Sequence, residues 1–211
     1  MPDHYYSPAP QSAHKPAQVA FSYRGHSLSF LTDSGVFSRL ELDKGTELLL
    51  SALPEKLSGQ VLDLGCGYGA IGIAVGKAYP DCSVTLADIN HRAVDLAQVN
   101  AQANGVRAAV LQSDGYASFP EKQAWHFILQ NPPIRAGKQV IYGMFSQGSR
   151  HLREGGSLWL VIRKQQGASS AMAYLKTLFE DVQAIEKKGG YWILRCASPQ
   201  PAPEGENTHA L

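Results

Sequence analysis

The sequence predicts an α/β fold: a seven-stranded, mostly parallel sheet with one antiparallel strand, preceded by a small β-hairpin and a helix. Three observations lead to it. Short apolar runs of strand length alternate five times with segments whose apolar residues recur at helical spacing, the pattern of a parallel sheet with helices on both faces. The last two strand-like runs, 182–186 and 191–195, meet through Gly189 and Gly190. That connection is too short for a parallel crossover, so one of the two runs antiparallel. Ahead of the series, Val19, Phe21 and Tyr23 alternate, residues 24–26 turn, and Leu28 and Phe30 resume the alternation, giving a hairpin.

The elements follow in order. A short helix over 45–52 stops before Pro54. A buried strand at 61–64 leads into a helix over 70–79, which Pro80 ends. After a strand at 84–87, Asn90 can cap a helix whose Val94, Ala97 and Ala101 share a face and which Gly105 terminates. Strands at 108–111 and 127–129 come next. A helix over 139–153, closed by Gly155 and Gly156, then precedes a strand at 158–162 and a helix over 168–179. The two closing strands complete the sheet.

Composition bounds the function classes. The 211 residues are 44% hydrophobic, which excludes a disordered or fibrous chain. No run approaches the ~18 apolar residues of a membrane span, and the four prolines before Ala17 leave no apolar core for a signal peptide. Nineteen basic and eighteen acidic residues leave +1, so no global field attracts nucleic acid or membrane. Cys66, Cys82 and Cys196 form no CxxC pair, which argues for a reducing cytoplasm and against a structural metal. His91, His126 and His151 show no ligand spacing either. We therefore expect a cytoplasmic protein without metal. Residues 1–17 and 198–211 read as flexible tails around a single domain, 18–197, with an N-terminal extension at 18–56 and a core at 57–197.

Two motifs carry chemistry. The run 61–76, VLDLGCGYGAIGIAVG, places Gly65, Gly67 and Gly69 between a strand and a helix, where ligands bind in open α/β sheets. Its GxGxG spacing differs from the GxGxxG of dinucleotide folds. Asp63, two residues before the first glycine, would repel a pyrophosphate but welcome an ammonium. Asp88 ends the next strand, where an acid accepts both ribose hydroxyls; because Asn90 can cap the following helix, Asp88 is left for that role. Asp114, after the third strand, can reach an adenine amino group or merely make a turn with Gly115.

The second motif is Gln130-Asn131-Pro132-Pro133-Ile134, after the fourth strand. Two prolines hold the chain rigid, so the Asn131 side-chain carbonyl and the Pro132 carbonyl can both accept from one amino group. That would align the nitrogen lone pair on an electrophile. Alone it could be a proline turn; behind a glycine loop and a ribose acid it gains weight.

These motifs, in this order, resemble class I S-adenosylmethionine-dependent methyltransferases, whose core is Rossmann-like. The Asn-Pro-Pro element resembles the subgroup that methylates amino nitrogens. The front segment LTDSGVFSRLELDKGTELLL and the run NPPIRAGK are similar to the short, single-domain members of the ribosomal RNA small-subunit (guanine-N2) methyltransferase C family. The resemblance implies S-adenosyl-L-methionine as cofactor, S-adenosyl-L-homocysteine as product, and RNA, as ribosomal RNA or a ribosomal subunit, as partner. It also implies roles. Asp63, Gly65, Cys66 and Gly67 would hold the methionine portion, Thr46 would approach its carboxylate, Asp88 would take the ribose, Ile89 would lie against the adenine, and Asp114 would bind its amino group. Asn131 and Pro132 would be catalytic, Asn131 also touching the cofactor, with Phe37 covering the site and Ile134, Arg135 and Lys138 on the substrate side.

The sequence departs from the family in two places: His126 stands where Asp is common, and Ile134 where an aromatic would stack on the base. From Asn131 to Gln165 six Arg or Lys face one acid. Arg135, Lys138, Arg163 and Lys164 suit a phosphate rim, and Arg150 and Arg153 a solvated helix face. Methylation of a protein glutamine amide, an adenine or a small amine also fits Asn-Pro-Pro, and a cofactor-binding module without catalysis is a further reading.

Overall fold

The computed structural model describes residues 8–200. Strands β1 (Ala17–Tyr23) and β2 (His26–Thr32) form the expected antiparallel hairpin. Arg24 and Gly25 both take positive φ, 46° and 80°, which is the two-residue turn whose twist matches a hairpin. Helix α1 (Lys44–Ala52) is capped by Asp43, whose carboxylate accepts from the Thr46 amide at 3.0 Å.

The core follows as β3 (Gly59–Leu64), α2 (Ala70–Ala78), β4 (Cys82–Asp88), α3 (His91–Ala103), β5 (Ala108–Gln112) and β6 (Trp125–Gln130). It continues with α4 (Lys138–Arg150), β7 (Leu152–Arg163), α5 (Ala168–Leu175), β8 (Phe179–Lys188) and β9 (Tyr191–Pro199). Seven strands pair in the order β5-β4-β3-β6-β7-β9-β8, and β9 alone runs antiparallel to its neighbours. The chain leaves β3 toward β4 and later returns to β3's other side with β6. The crevice at their carboxyl ends is thus the topological switch point, where open α/β sheets bind ligands.

Period-two alternation divides the core. Val61 faces a cluster with Leu49, Ile73 and Leu86, under α1, α2 and α3. Leu62 and Leu64 face another with Ile128, Phe145 and Leu160, under α4 and α5.

Three expectations change. The helix expected over 139–153 ends at Arg150, and Gly155 and Gly156 lie within β7. A Cβ on Gly156 would sit 2.9 Å from the Trp125 carbonyl oxygen, so this glycine serves close strand contact where the β6–β7 register shifts. The helix over 168–179 stops at Leu175, because buried Phe179 opens β8 opposite Pro199. The expected tails also narrow: β9 runs to Pro199, and residues 8–16 are anchored although they form no regular element. The Arg92 guanidinium donates to the Ser12 carbonyl at 3.0 Å and the Ser34 carbonyl at 2.7 Å, while Asp33 accepts from the Lys15 amide and pairs with His14. The remaining tail residues, 1–7 and 201–211, lie outside the described chain.

Candidate active site

At the carboxyl ends of β3 to β6 lies a cavity of about 340 Å³. Gly65 and Gly67 form its floor with φ of 75° and 56°, a left-handed path open to glycine without strain. Asp88 also lines it. Its two carboxylate oxygens accept from the Gly67 amide at 2.8 Å and the Asn90 amide at 2.9 Å, which fixes the carboxylate's direction and shapes the loop. Each oxygen keeps a lone pair for a ligand hydroxyl. Asn90 caps α3 through the Arg92 and Ala93 amides, as expected. Burial raises the Asp88 pKa above the usual carboxylate range, opposed by its backbone hydrogen bonds. Ile89, Asp114, Thr46, Phe37 and Met144 stand on its walls.

Asp63 is not on these walls. It is fully buried and accepts from the Gly72 amide at 2.8 Å, leaving Oδ1 without a partner among the described residues. Strand alternation explains the difference: Asp63 shares Val61's face and points under α2, where Gly72 makes room for it. Its part is to tie α2 to the strand beneath the glycine loop. Burial pushes its carboxyl up to about 7, with Asp88 adding repulsion. A raised carboxyl pKa favours the folded state when protonated, so its contribution is complete below about pH 4 and is lost as pH rises through 7. Urea unfolding should therefore show the wild-type stability falling relative to Asp63→Asn across that window, by at most about 4 kcal/mol. A constant difference between the two would sink this account. Cys66 lines the cavity as a protonated thiol, because burial and then the nearby Asp88 and Asp63 push its pKa far up.

A second cavity of about 400 Å³ adjoins the first, and Asn131, Pro132 and the 36–38 loop line both. Asn131 stands at the shared wall. Its Nδ2 donates to Asp43 Oδ2 at 2.9 Å and to Thr46 Oγ1 at 3.0 Å. A carboxylate can only accept, so the amide cannot flip, and Oδ1 is left as an oriented acceptor with no partner among the described residues. Asp43, Ile134, Arg135, Arg163 and Tyr191 line the second cavity.

The structure thus brings together Thr46, Gly65, Cys66, Gly67, Asp88, Ile89 and Asp114 on the first cavity, Asn131, Pro132 and Phe37 between the two, and Ile134 and Arg135 on the second. Lys138 lines neither: it opens α4 and reaches out over the Tyr142 ring, 5.9 Å from its centroid. His126 is remote from both, with Nδ1 accepting from the Gln60 amide at 3.0 Å at the other end of the sheet. Arg153 bonds Gln60 Oε1 there as well. Sequence reasoning missed Asp43 and Tyr191. An acid just before a helix is an ordinary N-cap residue, so nothing in the sequence marked Asp43 as part of a site.

No group of three or more His, Cys, Asp or Glu among the described residues could hold a metal, and no described helix is long and apolar enough to cross a membrane. The family model of the methyltransferase small domain matches residues 27–195. The uncharacterized protein YbxB of Bacillus subtilis is 41% identical over 92% of this chain and 98% of its own length. Ribosomal RNA small subunit methyltransferase C of Psychromonas ingrahamii is 37% identical over 77% of this chain but 46% of that protein. A solved T. Thermophilus 16S rRNA N2 G1207 methyltransferase, in complex with AdoMet and guanosine, matches with a TM-score of 0.80 at 27% identity. That match covers 90% of this chain and 52% of the other. The chain therefore spans about half the length of the named ribosomal RNA methyltransferases.

Proposed function

The chain belongs to the methyltransferase small-domain family, and from that premise we propose that it methylates the exocyclic N2 of a guanine in small-subunit ribosomal RNA. The first cavity fits the methyl donor through its acceptors. Asp88 offers two oriented oxygens to ribose hydroxyls, Asp114 an oxygen to an amino group, and Ile89 and Met144 an apolar slot for a planar ring. S-adenosylmethionine supplies a methyl group on a positively charged sulfur.

The chain's own residues hold the acceptor. Asn131 Oδ1 and the Pro132 carbonyl accept the two amino hydrogens, drawing the nitrogen lone pair out of conjugation with the ring. The observation that carries the choice of guanine is Asp43, whose Oδ1 has no hydrogen-bond partner among the described residues while Oδ2 holds Asn131 and Thr46. Guanine presents N1–H beside its amino group, a donor that a carboxylate accepts. Adenine presents a bare ring nitrogen there and would meet the carboxylate lone pair against lone pair, so acceptor-only chemistry favours guanine. Ile134 gives an aliphatic surface to the base.

The test is direct. Incubation with methyl-labelled S-adenosylmethionine and small-subunit ribosomal RNA, naked or assembled, followed by nucleoside digestion, should place label in N2-methylguanosine. Label in a protein glutamine or in adenine would overturn the proposal.

A further inference from the structure

Four exposed cations gather at one corner of the molecule. Arg163 ends β7 and Lys164 follows it directly, while Lys187 and Lys188 close β8. The β8–β9 turn consists of Gly189 and Gly190, with φ of 58° and 80°, so its tip is bare backbone. The Lys164 amide donates to the Gly190 carbonyl at 2.8 Å and ties the turn to β7. Among the described residues no carboxylate lies within ion-pair distance of any of the four. In a chain of net charge +1 this is a local concentration, not a share of a general excess.

The register orders them. Arg163 pairs with Tyr191, and Tyr191 with Lys188, so the three stand in one row across β7, β9 and β8 on the same face. The Arg163 guanidinium lies over the Tyr191 ring, 4.8 Å from its centroid. Tyr191 is buried, lines the second cavity, and its hydroxyl has no partner among the described residues. On the opposite face, Lys187 sits 3.9 Å from the centroid of the Trp192 ring. Two strand spacings separate Arg163 from Lys188, roughly 10 Å. The rings hold the Arg163 and Lys187 side chains in place on the two sides of a bare turn, which leaves the four cations to meet the phosphates of a single strand.

We propose that this corner, the β8–β9 turn with the end of β7, binds the sugar-phosphate backbone of single-stranded RNA next to the nucleotide whose base enters the second cavity. The inference rests on RNA being the acceptor. It adds a docking element that neither Asn-Pro-Pro nor the glycine loop contains.

Lys187→Ala/Lys188→Ala changes only exposed side chains and tests it. Binding of a short single-stranded RNA around a guanine, followed by fluorescence anisotropy over a salt series, should weaken roughly tenfold. The slope of log affinity against log salt should flatten by about 0.7 per lost phosphate contact. Lys187→Arg/Lys188→Arg should restore both, and calorimetric S-adenosylmethionine affinity should stay within experimental error of wild type. If wild type binds and methylates RNA while the Ala variant keeps its affinity and salt slope, the corner is not a docking site and the guanine reading stands. If wild type takes no RNA and methylates a protein instead, both fall together.

Discussion

Asn131→Ala should lower the single-turnover rate at saturating S-adenosylmethionine by roughly a hundredfold to a thousandfold, about 3–4 kcal/mol at the transition state. The backbone acceptor at Pro132 survives, so the amino group keeps one of two anchors and loses its orientation. Asn131→Asp is the sharper experiment. It replaces the Nδ2 that meets Asp43 at 2.9 Å with a second carboxylate oxygen, and two like charges at that distance repel. Its activity at neutral pH should fall to or below that of Asn131→Ala. Adding Asp43→Asn should restore part of it, because the amide and carboxylate have then exchanged places. Rates unchanged from wild type in both single variants would reduce Asn131 to a turn residue and remove the main support for amino-nitrogen transfer.

Asp88→Ala should raise the S-adenosylmethionine dissociation constant by a hundredfold or more. Hydrogen bonds to a charged group are worth about 1.5–3 kcal/mol each, and the ribose would lose two. The substitution also strips the Gly67 and Asn90 amides of their acceptor, so the glycine loop should loosen even without ligand. Calorimetry reads the first effect, and the thermal midpoint of the ligand-free protein reads the second. Asp88→Asn separates them further, since one oxygen remains to hold the loop while the charge is gone. An unaltered dissociation constant in both variants would show that the ribose lies elsewhere.

The sheet was legible because parallel strands buried on both faces stand out as short apolar runs between helices with marked stops. Pro54, Pro80 and Gly105 each ended an element where their backbone chemistry requires. Gly155 and Gly156 misled: a glycine pair after a helix reads as a terminator, yet here one of them lets β7 approach the Trp125 carbonyl. The glycine loop, Asp88 and Asn131 were legible because their chemistry is local to single turns. Asp63 was misplaced although the alternation that points it away from the cavity is visible in Val61 and Asp63 themselves. Lys138 was misplaced by nearness in sequence to Asn131, since the first turn of α4 carries it outward. Asp43 could not be read as Asn131's partner at all: the two are 88 positions apart, and only the return of β6 beside β3 joins them.

That return has a consequence during synthesis. Val61 of β3 pairs with Val84 soon after it emerges, but its other neighbour, Phe127, lies 66 positions farther along. At about 5–20 residues per second, a ribosome leaves that edge waiting several seconds. Through this interval β3, rich in Val and Leu, offers unpaired amides and carbonyls to any passing strand. The exposure lasts until β6 has left the ribosome and can pair, and Asn131 follows β6 directly. The wall between the two cavities is thus closed by the residues that follow the same strand that ends the exposure.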